Sequence, residues 1–279
     1  MRVRCWGSRG SIAVSGREYL KYGGDTTCVE VTAASGETII IDAGTGIRRL
    51  GNRLMAAGVT DIHLLITHAH WDHLSGFPFF KPLYSSSTDI RVYGGLPTQA
   101  SVKNIISKTM TPPYFPIKLE DIHAEISFFG IGNSSVSIGS VSIRTIALNH
   151  TNEGVGFRFD EGGRSFVFLT DNELGYEHPT GLSRTDYLEF SRGADLLFHD
   201  AEYRPDEYES TRGWGHSVFL DAVELAVEAG AARLGLFHHN QERSDPEIDA
   251  MVDEARDVIG ARGAVLECMA VAEGFEAEV

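Results

Sequence analysis

The segment Thr67-His68-Ala69-His70-Trp71-Asp72-His73 packs four metal-competent side chains into a very short stretch, directly after the apolar run Ile62-His63-Leu64-Leu65-Ile66. Extended backbone sends alternate side chains to one face, so His68 and His70 share a side. A turn beyond them lets Asp72 and His73 converge from the other. The spacing predicts two neighbouring ligand sets. Imidazole and carboxylate donors suit zinc, iron, manganese or cobalt, whereas magnesium and calcium favour all-oxygen shells. Four donors are too few for two ions, so strand ends elsewhere must supply the rest. His150 closes the run SIRTIALNH, Asp171 closes SFVFLTD, and His238 closes ARLGLFH. His239 competes with His238, but alternation aligns Leu234, Leu236 and His238 on one face, which favours His238 and leaves His239 to support or packing.

These residues need elements to hold them. Period-two apolar patterning predicts strands at MRVRCW, TCVEVTA and TIIIDAG, then a helix from Gly46 to Ala57 stopped by Gly58, then the strand IHLLIT. Within 82–120, IRVYGG reads as a strand and TQASVKNIISKTM as a helix capped by Thr98. A loop through Pro112, Pro113 and Pro116 follows, suited to an entrance. Strands dominate from Ile122 to Leu169. Beyond Thr185, helices alternate with the strands ADLLFHD, ARLGLFHH and AVLECMA. With no repeat or linker, the pattern predicts one domain over residues 1–279, two sheets between outer helices.

Composition bounds the partners. The chain has 279 residues, 24 Lys plus Arg against 39 Asp plus Glu, and a formal charge of −15. So acidic a surface repels nucleic-acid backbones and anionic membranes, and large nucleic acids are not expected. No apolar run approaches the ~20 residues of a bilayer span, and the amino terminus lacks a signal-peptide core, so the expectation is a cytoplasmic protein. Cys5, Cys28 and Cys268 lie in apolar runs and read as buried thiols.

The His-x-His-x-Asp-His pattern at 68–73, the Asp42-Ala43-Gly44 turn, and the later His150, Asp171 and His238 together resemble the metallo-β-lactamase superfamily over nearly the whole chain. The resemblance implies an α/β fold, a four-layer αββα sandwich, with a di-metal centre at one sheet edge. His68, His70 and His150 would hold one ion, Asp72, His73 and His238 the other, and Asp171 would bridge them. Trp6-Gly7-Ser8-Arg9-Gly10-Ser11, Gly23 to Cys28, and the pair formed by Leu197 to Ala201 and Gly215-His216-Ser217 resemble the phosphodiesterase branch, which includes ribonuclease Z-type and cyclic phosphodiesterase enzymes. Ribonuclease Z enzymes carry a tRNA-gripping arm between the motifs matched by His150 and Asp171. Here those two residues are close in sequence, which makes tRNA a poor substrate.

The expected chemistry is hydrolysis of a small anionic phosphodiester, a cyclic nucleotide or cyclic phosphate, by a hydroxide bridging two divalent ions. Zinc comes first, with manganese or iron as alternatives. Asp72 serves this reaction beside His216, the expected proton donor, oriented and kept charged by Asp200. The plain reading of this segment is a helix start with Ser217 as cap. Trp71 and Trp214 read as packing around the site more readily than as stacking surfaces for a base, and Gly7, Gly10, Gly44 and Gly46 as tight turns more readily than as a phosphate approach. His63, His123 and His178 read as structural or exposed. Alternatives are a thioester hydrolase of the glyoxalase II kind, a tRNA 3′-end endonuclease, or a non-enzymatic metal or ligand sensor. Homodimerisation is expected only by analogy with the branch.

Overall fold

The protein is described by a computed structural model covering residues 1–95, 99–131 and 135–279. In chain order the elements are β1 (Arg2–Gly7), β2 (Cys28–Thr32), β3 (Thr38–Ile41), α1 (Ile47–Ala57), β4 (Asp61–Ile66), α2 (Trp71–Leu74), β5 (Asp89–Gly95), α3 (Gln99–Thr109) and β6 (Glu125–Ile131). There follow β7 (Val136–Ile138), β8 (Val141–Ala147), β9 (Val155–Glu161), β10 (Arg164–Leu169), α4 (Arg184–Ser191), β11 (Leu196–Asp200), α5 (Tyr208–Thr211), α6 (Phe219–Ala229), β12 (Arg233–Phe237), α7 (Asp245–Ala261), β13 (Glu267–Ala270) and β14 (Glu276–Glu278). The Thr98 cap expected for α3 lies outside the described residues, and no described helix is long and apolar enough to cross a membrane.

Two seven-stranded sheets form, ordered β14-β1-β2-β3-β4-β5-β6 and β13-β12-β11-β10-β9-β8-β7. Each is antiparallel at one end and parallel at the other, with β3 to β6 parallel in the first and β10 to β13 parallel in the second. Side-chain alternation explains the layering. On β10, Phe166 and Phe168 enter the core between the sheets, while Val167 and Leu169 join the layer beneath α4, α6 and α7. On β3, Ile39 and Ile41 face inward and Ile40 packs under α1 and α3. The inter-sheet core is aromatic, with Phe166 edge-on to Phe198 at 5.1 Å between ring centres. These layers form the expected αββα sandwich.

Gly58 adopts the left-handed conformation that closes α1, as its sequence position predicts. The run VSIGSVSIRTIAL splits into β7 and β8 at Gly139, whose positive φ lets the chain reverse. β14, too short and charged to read as a strand, pairs with β1 and was not expected. The structural consequence for function is that β3, β4, β10, β11 and β12 end at the same side, and in parallel sheets the crevice beyond such ends is where ligands bind.

Candidate metal centre

Each strand end delivers a polar residue. Asp42 follows β3, Thr67 and His68 follow β4, Asp171 follows β10, Asp200 ends β11 and His238 follows β12. Asp42, Asp171 and His238 have φ values of 61°, 51° and 60°, a left-handed conformation that side-chain-bearing residues adopt rarely. That turn, once the strand has ended at Phe237, sets the direction of His238. Alternation does not, because Leu234 and Leu236 face the helical layer. His239 is buried away from the cluster, with its imidazole against the Val271 carbonyl at 2.8 Å.

His68, His70, His150 and Asp171 bring four donor atoms within 4.8 Å of one another, and so do Asp72, His73, Asp171 and His238. Asp171 belongs to both groups. Its Oδ2 is 3.2 Å from His73 Nε2, while its Oδ1 is 3.6 Å from His68 Nε2 and 3.3 Å from His238 Nε2. Asp72 Oδ2 lies 3.1 Å from the Nε2 of both His73 and His238, and accepts the Ser11 N–H at 2.9 Å.

The outer nitrogens are occupied, which fixes how each ring faces the cluster. His73 Nδ1 meets Asp42 Oδ2 at 2.7 Å, His150 Nδ1 meets the Gly215 carbonyl at 2.9 Å, and His238 Nδ1 meets Glu202 Oε2 at 3.0 Å. Asp42 is itself held by the Thr67 N–H and hydroxyl at 2.8 and 2.7 Å. His70 is reversed: its Nδ1 lies 3.1 Å from His150 Nε2, while Nε2 faces Asn152. Space is tight around these rings. A Cβ on Gly215 would lie 2.0 Å from His150 Nδ1, and one on Gly10 would lie 2.4 Å from His238 Nδ1.

The electrostatics favour cations. Burial lowers the pKa of His68 and His70 and holds His150 at about 4, which favours the neutral imidazole that binds a metal ion. Burial also opposes charge on His73, but Asp72, Asp171 and Asp42 outweigh it and raise its pKa, so the surrounding carboxylates favour a positive charge at this position. His68 Nε2 and His73 Nε2 are buried without a hydrogen bond, although such atoms are normally satisfied. Two orphaned inward nitrogens amid carboxylates and neutral imidazoles fit divalent metal ions.

Beside this cluster, His216 Nδ1 lies 2.8 Å from Asp200 Oδ2 and 3.3 Å from Glu202 Oε2. Burial would lower its pKa, but Glu202 and Asp200 raise it to about 9. Ser217 is not a helix cap. Its hydroxyl donates to the Asn172 carbonyl and accepts the Leu174 N–H, and its own N–H donates to Asp200 Oδ1. α6 instead starts at Phe219 with Val218 before it.

Sequence reasoning missed Glu202, which also accepts from the Asn240 amide at 3.0 Å. Its place two residues beyond Asp200, on the same side of an extended stretch, was the available signal. It likewise treated Asp42 only as part of a turn. A Cβ on Gly7, Gly10, Gly44 or Gly46 would lie 2.0, 2.4, 2.3 or 2.6 Å from the protein's own atoms, so close packing requires glycine at each. Trp71 and Trp214 are 69% and 61% exposed, so they are not packing residues. His178 is buried against Glu173 at 2.9 Å, and His63 against Tyr93.

Comparison with known proteins agrees with this geometry. The profile of the family described as Beta-lactamase superfamily domain matches residues 37–239. Ribonuclease Z of Haloarcula marismortui is 27% identical over 92% of this chain and 91% of its own length. Among solved structures, the metallo-beta-lactamase fold protein YhfI of Bacillus subtilis superposes with a TM-score of 0.72 at 18% identity, covering 100% of this chain and 98% of that one. A diphosphatase of the PhnP family superposes with a TM-score of 0.68 at 17% identity, covering 100% and 97%. At such identities the structural likenesses describe the fold, while the profile spans most of the sequence: the chain belongs to the beta-lactamase superfamily.

Proposed function

We propose that this chain is a binuclear metal-dependent hydrolase that cleaves a phosphodiester, with small cyclic nucleotides or cyclic phosphates as the substrate class. The observation that carries the reading is the Asp200–His216 pair at the rim of two donor clusters that share Asp171. His68, His70 and His150 would hold one ion, Asp72, His73 and His238 the other, and Asp171 both. Zinc suits these donors first, with manganese or iron next. Two such ions, when bound, supply an activated water and neutralise charge growing on the phosphoryl oxygens.

The remaining work falls to the chain. Asp42, Gly215 and Glu202 orient the ligand imidazoles, and Ser11 orients Asp72. His216, kept charged by its two carboxylates, carries the proton that the departing alkoxide needs. A thioester hydrolase needs no such donor for its thiolate, which leaves with a far lower pKa.

A second reading, RNA cleavage, is favoured by the ribonuclease Z relative. Against it stand the charge of −15 and the two-glycine turn, Gly162-Gly163, that joins β9 directly to β10 between His150 and Asp171.

The test is hydrolysis of bis(p-nitrophenyl) phosphate after chelation and after return of zinc or manganese, with a lactoyl thioester and a precursor tRNA run in parallel. Chelator-sensitive cleavage of the diester, extending to cyclic nucleotides, is expected. Cleavage of the thioester alone overturns the reading, and cleavage of the tRNA alone replaces it with the second.

A further inference from the structure

The run of donors between His68 and His73 is interrupted by two residues, Ala69 and Trp71, that do not join the clusters. Both line a groove of about 470 Å³ with Leu74, Ile105, Lys108 and Tyr114. The groove therefore begins at the residues that alternate with the candidate ligands. Its two aromatic members are unusually bare, Trp71 at 69% and Tyr114 at 84% exposure, where ring-sized apolar surface normally seeks cover. Next to Tyr114, Phe115 packs edge-on against Phe79 at 5.7 Å between ring centres. Lys108, exposed in the last turn of α3, is the cation among the lining residues. Largely apolar walls, two open aromatic faces and a single cation, on residues interleaved in sequence with the candidate ligands, complement one kind of occupant: a flat aromatic group attached to a phosphate.

We propose that the Trp71–Tyr114 groove is a subsite for the aromatic base of a nucleotide substrate, with Lys108 reaching its phosphate. The inference rests on the phosphodiester reading and narrows it from any cyclic phosphate to a nucleotide. Binding does not require turnover, so the two are tested separately.

Calorimetric titration of the metal-loaded protein with adenosine 5′-monophosphate and with ribose 5-phosphate isolates the base. The nucleotide should bind about ten-fold tighter or more, the usual worth of one stacked base. Trp71→Ala and Tyr114→Ala should each shrink that preference several-fold, Trp71→Phe should restore it, and Lys108→Ala should weaken both ligands together. Trp71 and Tyr114 lie at the surface, and matching melting temperatures will verify that the variants fold. Equal binding of the two ligands, a preference that survives both alanine variants, or a preference erased instead by Trp214→Ala overturns the subsite. Nucleotide preference in a protein that cleaves no phosphodiester retains the subsite and retires the hydrolase reading.

Discussion

His216 donates from Nδ1 to the Asp200 carboxylate across 2.8 Å, both side chains being buried beside the donor clusters. This contact orients the ring, and in the proposed reaction Nε2 would be the atom that delivers the proton. His216→Asn should slow phosphodiester turnover by ~10²–10⁴ while metal content, measured by elemental analysis, stays at the parent level. Full activity in this variant removes His216 from the reaction.

Asp171 is the residue common to both donor groups. Asp171→Ala should therefore lower the number of bound ions from two to one or none and reduce activity to that of the chelated protein, whereas His68→Ala should disturb chiefly one ion. Equal stoichiometry in Asp171→Ala and parent protein contradicts a bridging position.

Glu202 and Asp42 each hold the outer nitrogen of an inward-facing histidine. Replacing either carboxylate by its amide, Glu202→Gln or Asp42→Asn, should weaken metal retention by ~10–100-fold in a chelator competition without removing a ligand. Unchanged retention in both shows that the rings are positioned by packing alone.

Asp195 ties β10 to the start of β11, accepting the Ser165 N–H at 2.8 Å and the Arg164 guanidinium at 2.6 Å. Burial raises its pKa, but Arg164 and the Ser165 N–H outweigh this and hold it below the usual carboxylate value. Its stabilisation is thus present above the unfolded pKa and fades as pH falls through the lower folded one. Asp195→Asn should cost up to about 1 kcal/mol at pH 7 and progressively less as pH falls through the folded pKa, a trend that denaturant titrations stepped downward from pH 7 will measure.

Much of this was legible because the relevant signals are local. His68, His70, Asp72 and His73 announce themselves by spacing, and the termini of apolar runs located His150, Asp171 and His238. What stayed hidden depended on contacts across the chain. Nothing near Glu202 in sequence reveals that it will meet His238, and Gly215 is marked only by the His150 ring that packs where its side chain would be. The exposure of Trp71 was misjudged for a related reason. Aromatic residues beside a site are usually covered, and only the placement of α3 and the Tyr114 loop shows that these neighbours flank a groove instead of filling it.

The donors are divided between the two sheets. His68, His70, Asp72 and His73 follow a strand of the first, while His150, Asp171 and His238 follow strands of the second. Ions seated between them would act as a clasp across the sandwich, because binding linkage requires that whatever grips only the joined state also resists its separation. Metal occupancy is then a thermodynamic gauge of how firmly the halves are docked. Substitutions deep in the phenylalanine-rich interface, far from any donor, should loosen ion binding by weakening the partnership that creates the site.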